Sequence, residues 1–218
     1  MFGRLHALDD GLLFLINVEW TSPFLDRFMA LVTDFGFWKW PLIGAGLVLA
    51  LHGGYKGRLF LGLALVAVLV GESINSTVKR VVDRPRPYQA LHGIRHVDRH
   101  GVHLSEPGPV EKGRSMPSNH VANNVAVALL LIKVYGFRGH LAWIWVGLLA
   151  YSRVYTGSHY PSDVLISFLL APAYTSLLTW LAAQRVFGWN PDRLRFSRRE
   201  GGRPAPNEKA LNLRNLLD

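Results

Sequence analysis

Five long apolar stretches dominate the pattern of hydrophobic and polar residues along this chain. Each is close to the length that an α-helix needs to cross about 30 Å of hydrocarbon. The stretches cover residues 37–52, 59–78, 121–135, 141–155 and 164–187. A soluble protein can bury apolar helices, but this chain has too few polar residues to cover five of them. We therefore predict an all-α membrane protein, a bundle of five transmembrane helices.

The segment that precedes these stretches, residues 11–35, is also apolar, but charged residues and a proline interrupt it. We interpret it as a pair of helices that lie at the membrane interface, with a sixth transmembrane helix as the alternative. The pattern thus predicts three regions. These are an interfacial segment at 1–36, a transmembrane domain at 37–187, and a basic, mostly disordered cytoplasmic tail at 188–218.

Composition supports a membrane protein and narrows the possible partners. Half of the 218 residues are hydrophobic and only 18% are charged, which is a low charged fraction for a soluble protein. The absence of cysteine excludes disulfides and thiolate metal sites. The net charge of +9 arises mainly between Lys79 and Arg114 and between Arg185 and Arg214, in one loop and in the tail. We expect the tail to contact anionic lipid and expect no nucleic-acid partner. The pattern indicates no oligomeric state.

The charges of the loops predict the orientation of the helices. With five membrane crossings, two short basic linkers and the basic tail fall on the same side, which the positive-inside rule makes cytoplasmic. The long loop at 79–120 and the short loop around His159 then face outward together. We therefore predict a multi-pass protein of a bacterial-type inner (plasma) membrane, with its polar loops on the periplasmic or extracellular face.

The outward loops carry three clusters of polar residues that suit phosphate chemistry. In chain order they are Lys79 with Arg86-Pro87, then Pro117-Ser118-Asn119-His120, then Ser152-Arg153 with His159 and Asp163. Hydrolysis of a phosphate ester requires fixed positive donors around the transferring group. Arg86 and Arg153 offer planar guanidinium groups for phosphate oxygens, and Lys79 offers a point charge. The Ser118 hydroxyl and the backbone amides after it can donate as well, if a helix begins there.

Two histidines can supply the covalent and acid–base chemistry. A neutral imidazole can attack phosphorus and form a phosphohistidine, which water then hydrolyses. His159 precedes Asp163 by four residues, so a carboxylate in the first helical turn can reach its ring and stabilise the imidazolium. His120 remains free to protonate the leaving oxygen. Because no cluster of carboxylates indicates a two-metal site, we predict neither a metal nor another cofactor.

The three clusters resemble the signature motifs of the type 2 phosphatidic acid phosphatase family, K-x6-RP, PSGH and SR-x5-H-x3-D. They follow one another in the same order, with 29 residues between Pro87 and Pro117 and 31 between His120 and Ser152. The resemblance implies a membrane lipid phosphatase in which His159 is the nucleophile, His120 the acid and Asp163 the partner of His159. It implies that phosphate is bound by Lys79, Arg86, Ser118, Arg153 and the backbone amide at position 119.

Asn119 departs from this resemblance, because the family motif has a glycine there. In the family pattern the backbone amide at this position touches phosphate, so an asparagine must keep that amide accessible. Asparagine tolerates unusual backbone angles better than most residues, and we expect activity to be retained. Its side chain can alter the preference for a lipid headgroup.

The substrate and the reaction leave several alternatives. We favour a polyprenyl diphosphate such as the undecaprenyl carrier, which the small bacterial members of the family suggest. Phosphatidylglycerophosphate, phosphatidic acid and lipid A phosphates are the other substrates considered. The rival functions are a lipid phosphotransferase with the same site, a vanadate-dependent haloperoxidase, and a non-catalytic channel or lipid-binding protein.

Three further groups of polar residues have less specific interpretations. Glu72 lies within the second apolar stretch, and we expect it to pair with a nearby basic residue. Asn123 and Asn124 either support the site or pack between helices. A histidine-rich run in the long loop can bind a metal, although we favour a solvated loop near the headgroups. This run comprises His92, His96, His100 and His103, with Asp98.

Overall fold

Eight α-helices and one short β-hairpin make up the part of the chain that the computed structural model describes, residues 2–106, 108 and 114–187. The first four helices are α1 (Phe2–Phe14), α2 (Pro23–Thr33), α3 (Phe35–His52) and α4 (Gly54–Val82). A π-helical turn (Leu15–Glu19) follows α1. The long loop contains α5 (Pro87–Ala90) and the strands β1 (Arg95–Asp98) and β2 (Gly101–Leu104). The remaining helices are α6 (Asn119–Tyr135), α7 (Ala142–Tyr155) and α8 (Pro161–Phe187), with a 3-10 segment (Gly136–Leu141) between α6 and α7.

All five apolar stretches are helical, and the structure is mostly helical, as the sequence predicts. Within the described residues, three helical stretches are long and apolar enough to cross a membrane: Gly54–Ala90, Asn119–Tyr155 and Pro161–Gln184. The second of these contains both α6 and α7, which pack against each other. Gly136, at φ 65°, ends α6 and starts the turn into α7. The number of crossings, five or six, stays a prediction.

The helix α3 has the surface expected of a helix in contact with lipid. None of its residues is buried by the rest of the chain, and its exposed side chains are largely apolar, among them Leu42, Ile43, Leu47 and Val48. A surface of this kind is costly in water and is favourable in a hydrocarbon environment. Its main packing partner is α4, and most of its circumference is left free to contact lipid.

Two helices occupy the region before the first apolar stretch. The second of them, α2, begins at Pro23, and the Ser22 side chain caps it by accepting a hydrogen bond from the Leu25 amide at 3.2 Å. The position of this pair relative to a bilayer stays a prediction, as do the regions 1–36 and 37–187. The predicted basic tail at 188–218, with its expected contact to anionic lipid, lies outside the described residues.

The long loop contains a β-hairpin that the sequence pattern does not predict. Its strands pair in an antiparallel register that sets Arg95 opposite Leu104 and His96 opposite His103. The Asp98 carboxylate accepts the amides of His100 and Gly101 at 2.7 and 3.1 Å, which closes the turn. The sequence pattern missed it because two four-residue strands carry little periodic signal.

The helix α6 is the centre of the bundle, since it packs against α4, α7 and α8. Its buried face is built mostly from small residues, Val121, Ala122, Val125, Ala126 and Ala128. Small side chains allow helix backbones to approach closely, which is the usual way in which membrane helices pack. The Tyr174 hydroxyl of α8 donates to the Ala122 carbonyl at 3.2 Å. These contacts hold the first turn of α6 in a defined place.

Candidate active site

The start of α6 presents hydrogen-bond donors that could bind an anion. Ser118 immediately precedes the helix, and its backbone amide donates to the Ser167 hydroxyl of α8 at 2.9 Å. The Ser118 side chain is fully buried, and its hydroxyl has no hydrogen-bond partner in the described part of the chain. The first amides of a helix have no acceptor within it, and they attract negative charge. Ser118, Asn119 and His120 therefore lie at a helix start of the kind that suits an anion.

His159 and Asp163 lie side by side at the start of α8. His159 Nδ1 is 3.5 Å from Asp163 Oδ2, and both side chains are almost entirely buried. Asp163 is the third residue of α8, and its carboxylate accepts the backbone amide of Tyr160 at 3.0 Å, just before the helix begins. This contact fixes the carboxylate beside the ring. With Nδ1 facing Asp163, the other nitrogen of His159, Nε2, is left for chemistry.

Positive charge surrounds His159. Burial lowers the pKa of His159 well below its usual range, and the charges of Arg153, Arg86 and Lys79, in that order, lower it further. The imidazole is therefore neutral at pH 7, the form that a nucleophile requires. His120 also contributes to this field. The structure thus brings together the residues that the three motifs contain.

The cationic residues reach the site from three separate elements. Lys79 lies in the last turn of α4 and Arg153 in the last turn of α7, while Arg86 immediately precedes α5. Arg153 is 7% exposed and donates to the Thr33 hydroxyl of α2. Because three cations and a helix N-terminus converge on one place, the site is suited to an anion with more than one charge.

Arg84 belongs to this site, and the sequence analysis missed it. Its guanidinium donates to Asp163 Oδ1 at 2.9 Å and to Asp9 Oδ2 at 2.6 Å. The same group lies over the Tyr160 ring, with its carbon 3.6 Å from the ring centroid. The available signal was the repeat in Arg84-Pro85-Arg86-Pro87, whose first arginine the motif leaves unassigned. A buried Asp163 also requires a positive partner.

Asp9 connects α1 to the start of α8. Its carboxylate accepts the Ser162 backbone amide at 2.8 Å and the Ser162 hydroxyl at 2.5 Å. Ser162 is in the first turn of α8, so Asp9 satisfies an amide that has no acceptor within the helix. The N-terminal helix is therefore part of the support of Asp163, through Arg84 and Ser162.

The contacts of Glu72 differ from the prediction that it pairs with a basic residue. Its carboxylate accepts hydrogen bonds from two amide side chains of α6, those of Asn119 and Asn123, the latter at 2.7 Å. Among the described residues, Glu72 forms no ion pair with a basic residue. The physical reason is that Glu72 faces the first turns of α6, where the side-chain amides of Asn119 and Asn123 lie within hydrogen-bonding distance. Asn124, one residue further, donates to the His120 carbonyl at 2.9 Å.

The histidine-rich run has ordinary structural contacts. His96 stacks on the Tyr88 ring, with centroids 4.2 Å apart, while His92, His100 and His103 are exposed. Within the described ranges, no three histidine, aspartate or glutamate side chains lie close enough together to hold a metal ion. His96 and His100 also line a cleft of about 370 Å³, together with Arg86 and Arg153.

Sequence comparison relates the chain to proteins of known function. The sequence model of the PAP2 superfamily matches residues 59–187. Undecaprenyl-diphosphatase BcrC of Bacillus subtilis is 30% identical over 151 residues, which cover 67% of this chain and 69% of that protein. Lipid A 4'-phosphatase of Bacteroides thetaiotaomicron is 28% identical over 175 residues, which cover 78% of this chain and 75% of that protein.

Structural comparison agrees on the fold. The crystal structure of Aquifex aeolicus LpxE superposes with a TM-score of 0.61 at 22% sequence identity. The superposition covers 79% of this chain and 94% of that one. At this identity the likeness concerns the fold alone.

Proposed function

This chain belongs to the PAP2 superfamily and is a membrane phosphatase that hydrolyses phosphoric esters, and we propose that it removes phosphate from a lipid diphosphate. The reaction proceeds through a phosphohistidine on His159. The observation that carries the proposal is the environment of His159. Its imidazole is buried, its Nδ1 is 3.5 Å from Asp163, and three cationic side chains act on it. A neutral nucleophile in a cationic pocket is suited to attack a phosphate anion.

In the first step His159 Nε2 attacks the terminal phosphorus of the substrate. A nitrogen–phosphorus bond forms as the bond between phosphorus and the leaving oxygen breaks. His120 donates its proton to that oxygen, and the shortened lipid phosphate leaves. The Asp163 carboxylate, with Oδ2 3.5 Å from His159 Nδ1, stabilises the positive charge that develops on the ring.

In the second step a water molecule attacks the phosphohistidine. His120, now neutral, accepts a proton from this water as the new oxygen–phosphorus bond forms and the nitrogen–phosphorus bond breaks. Inorganic phosphate is released, and both histidines return to their initial states. Through both steps Lys79, Arg86 and Arg153 balance the charge of the phosphoryl oxygens, with the Ser118 hydroxyl and the Asn119 backbone amide as neutral donors.

We favour a polyprenyl diphosphate, the undecaprenyl carrier, as the substrate. Undecaprenyl-diphosphatase BcrC has 30% identity to the chain. The cleft of about 370 Å³ that contains Arg86 and Arg153 also contains Arg99, which supplies positive charge beyond the catalytic pocket. The carboxylates of this cleft already accept backbone amides, Asp98 from the hairpin turn and Asp34 from Gly36 at 2.8 Å. The three arginines of the cleft outnumber its two carboxylates, so a second phosphate would meet net positive charge.

The proposed location is the outer face of a bacterial-type plasma membrane. The support is the distribution of lysine and arginine among the loops, under the positive-inside rule. An outward site would open near the lipid surface, where a substrate can enter laterally and present its phosphate to the start of α6.

The test is phosphate release by the purified protein from a panel of lipids, compared with the His159→Ala variant. The panel contains undecaprenyl diphosphate, phosphatidylglycerophosphate, phosphatidic acid and a lipid A phosphate. We expect undecaprenyl diphosphate to give the highest kcat/KM and His159→Ala to lose nearly all turnover. Near-normal turnover in His159→Ala would refute the nucleophile, and a higher kcat/KM on another lipid would refute the substrate. Transfer of phosphate to an added acceptor lipid, in place of release, would indicate a phosphotransferase.

A further inference from the structure

Asn119 occupies a position where the family motif has glycine, and this creates a physical problem at the site. It is the first residue of α6, so its backbone amide is one of the donors that a bound phosphate would use. A glycine there leaves the space in front of the amide empty. An asparagine adds a side chain of three heavy atoms beyond Cβ, with donors and an acceptor that could fold over the amide and compete for it.

The structure shows where this side chain is held. Its Nδ2 donates to one oxygen of Glu72, and the Nδ2 of Asn123, one turn further along α6, donates to the other oxygen. Glu72 lies on α4, one of the helices that pack directly on α6. The Asn119 side chain is therefore tied to α4, and Asn123 fixes the second oxygen of the carboxylate that holds it.

A carboxylate at this position is unfavourable unless it has a specific role. Glu72 lies within an apolar helix and near Lys79, where a negative charge weakens the field that a phosphate anion requires. A neutral residue would pack between α4 and α6 without this cost. The charge does make a stronger acceptor for an amide donor than a neutral group does, because hydrogen bonds to ionised acceptors are about twice as strong.

We propose that Glu72 is a positioning residue that holds the Asn119 side chain out of the phosphate pocket, so that the Asn119 backbone amide stays available to the substrate. The inference rests on the proposed function of the same site. It connects Glu72 with Asn119, the one position at which the three motifs differ from the family pattern. Glu72 touches no reacting atom; it acts through Asn119.

The test is a double-mutant cycle with Glu72→Ala, Asn119→Gly and the combined variant. We expect Glu72→Ala to lower kcat/KM for undecaprenyl diphosphate by about tenfold or more, since the freed asparagine would compete for the phosphate donors. In the Asn119→Gly background, the same Glu72→Ala change is expected to alter kcat/KM by less than about twofold, because no side chain remains to be held. Ser73→Ala, on the exposed face of the same helix, is the control and is expected to match the wild type.

A second readout keeps the inference separate from the proposed function. Orthovanadate, a phosphate analogue, should raise the melting temperature of the wild type in detergent. Glu72→Ala should weaken this stabilisation in the Asn119 background and leave it unchanged in the Asn119→Gly background. If the wild type releases no phosphate from any lipid, the proposed function fails, and the vanadate cycle still tests the role of Glu72.

Two outcomes of this cycle would contradict the role of Glu72. Equal losses on Glu72→Ala in both backgrounds would mean that the carboxylate only joins α4 to α6, and the inference would be wrong. If Glu72→Ala does not fold, Glu72→Gln takes its place in the same cycle. Glutamine keeps the size of the side chain and one acceptor oxygen, so it should give a smaller loss that Asn119→Gly again removes; a loss that persists would contradict the inference.

Discussion

The guanidinium of Arg84 lies 2.9 Å from the carboxylate of Asp163, the residue that faces the proposed nucleophile. Asp163 is completely buried, and a buried carboxylate without a positive partner costs several kcal/mol. Arg84 provides that partner, and its second contact, 2.6 Å from Asp9, brings in a carboxylate from α1. The orientation of His159 is thus supported by a chain of contacts that begins at the N-terminal helix, outside the segment that the family model matches.

We expect Arg84→Ala to lower both stability and activity. Removal of one partner from a buried ion pair costs about 3–5 kcal/mol, which corresponds to a clear drop in melting temperature. Without this partner the Asp163 carboxylate loses a contact that orients it beside His159, so kcat should fall by about a hundredfold while KM changes less. Arg80→Ala removes the same charge from an exposed position on α4 and is the matched control.

The more conservative Arg84→Lys variant separates charge from geometry. A lysine can reach one carboxylate but cannot bridge Asp163 and Asp9 with a planar fork. We expect partial recovery of the melting temperature and less recovery of kcat. If Arg84→Ala folds normally and keeps full kcat, the bridge has no part in catalysis.

The buried, neutral His159 predicts acid sensitivity of the fold. Its pKa is depressed from 6.5 by burial and by the surrounding cations, so the unfolded chain binds a proton that the folded protein excludes. The corresponding stability is present above pH 6.5 and is lost as the pH falls below that value. Melting temperatures between pH 8 and pH 5 should therefore decline in the wild type. His159→Gln, which has no such proton to exclude, should decline less, and parallel curves would contradict this assignment.

Arg99 provides a test of the diphosphate preference. It lines the same cleft as Arg86 and Arg153, on the hairpin side. We expect Arg99→Ala to lower kcat/KM for undecaprenyl diphosphate by about tenfold and to leave a lipid monophosphate nearly unaffected, since only the diphosphate reaches this side chain. Arg138→Ala, in the segment between α6 and α7, is the control for loss of one exposed charge. Equal effects on both substrates would remove the reason for favouring a diphosphate.

Activity is expected to persist in an excess of chelator. Lys79, Arg86 and Arg153 supply the positive charge that a metal supplies in other phosphatases. The measurement is phosphate release before and after dialysis against a chelator. Loss of activity that a divalent cation restores would contradict this expectation and would direct attention to the histidine-rich run and its Asp98.

The helices and the candidate site residues could be predicted from the sequence because both depend on local patterns. The length of an apolar stretch indicates a helix without knowledge of its neighbours. His159 and Asp163 are only four residues apart at the start of α8, so their proximity needs no long-range contact. The hairpin was missed because its two strands are short. It also depends on a long-range contact, in which Val97 packs against Met29 and Ala30 of α2.

Only the tertiary structure decided which partners support the site. Asp9 bonds to Arg84 across 75 residues of sequence and to Ser162 across 153, and Glu72 bonds to Asn119 across 47. Each of these residues has several possible partners in the sequence. The sequence favours a basic partner for Glu72, and among the described residues Glu72 has none. The sequence by itself determined the apolar helices and the set of reactive side chains. The packing of α1, α4, α6 and α8 decided which of those side chains touch, because hydrogen bonds form only over a few ångströms.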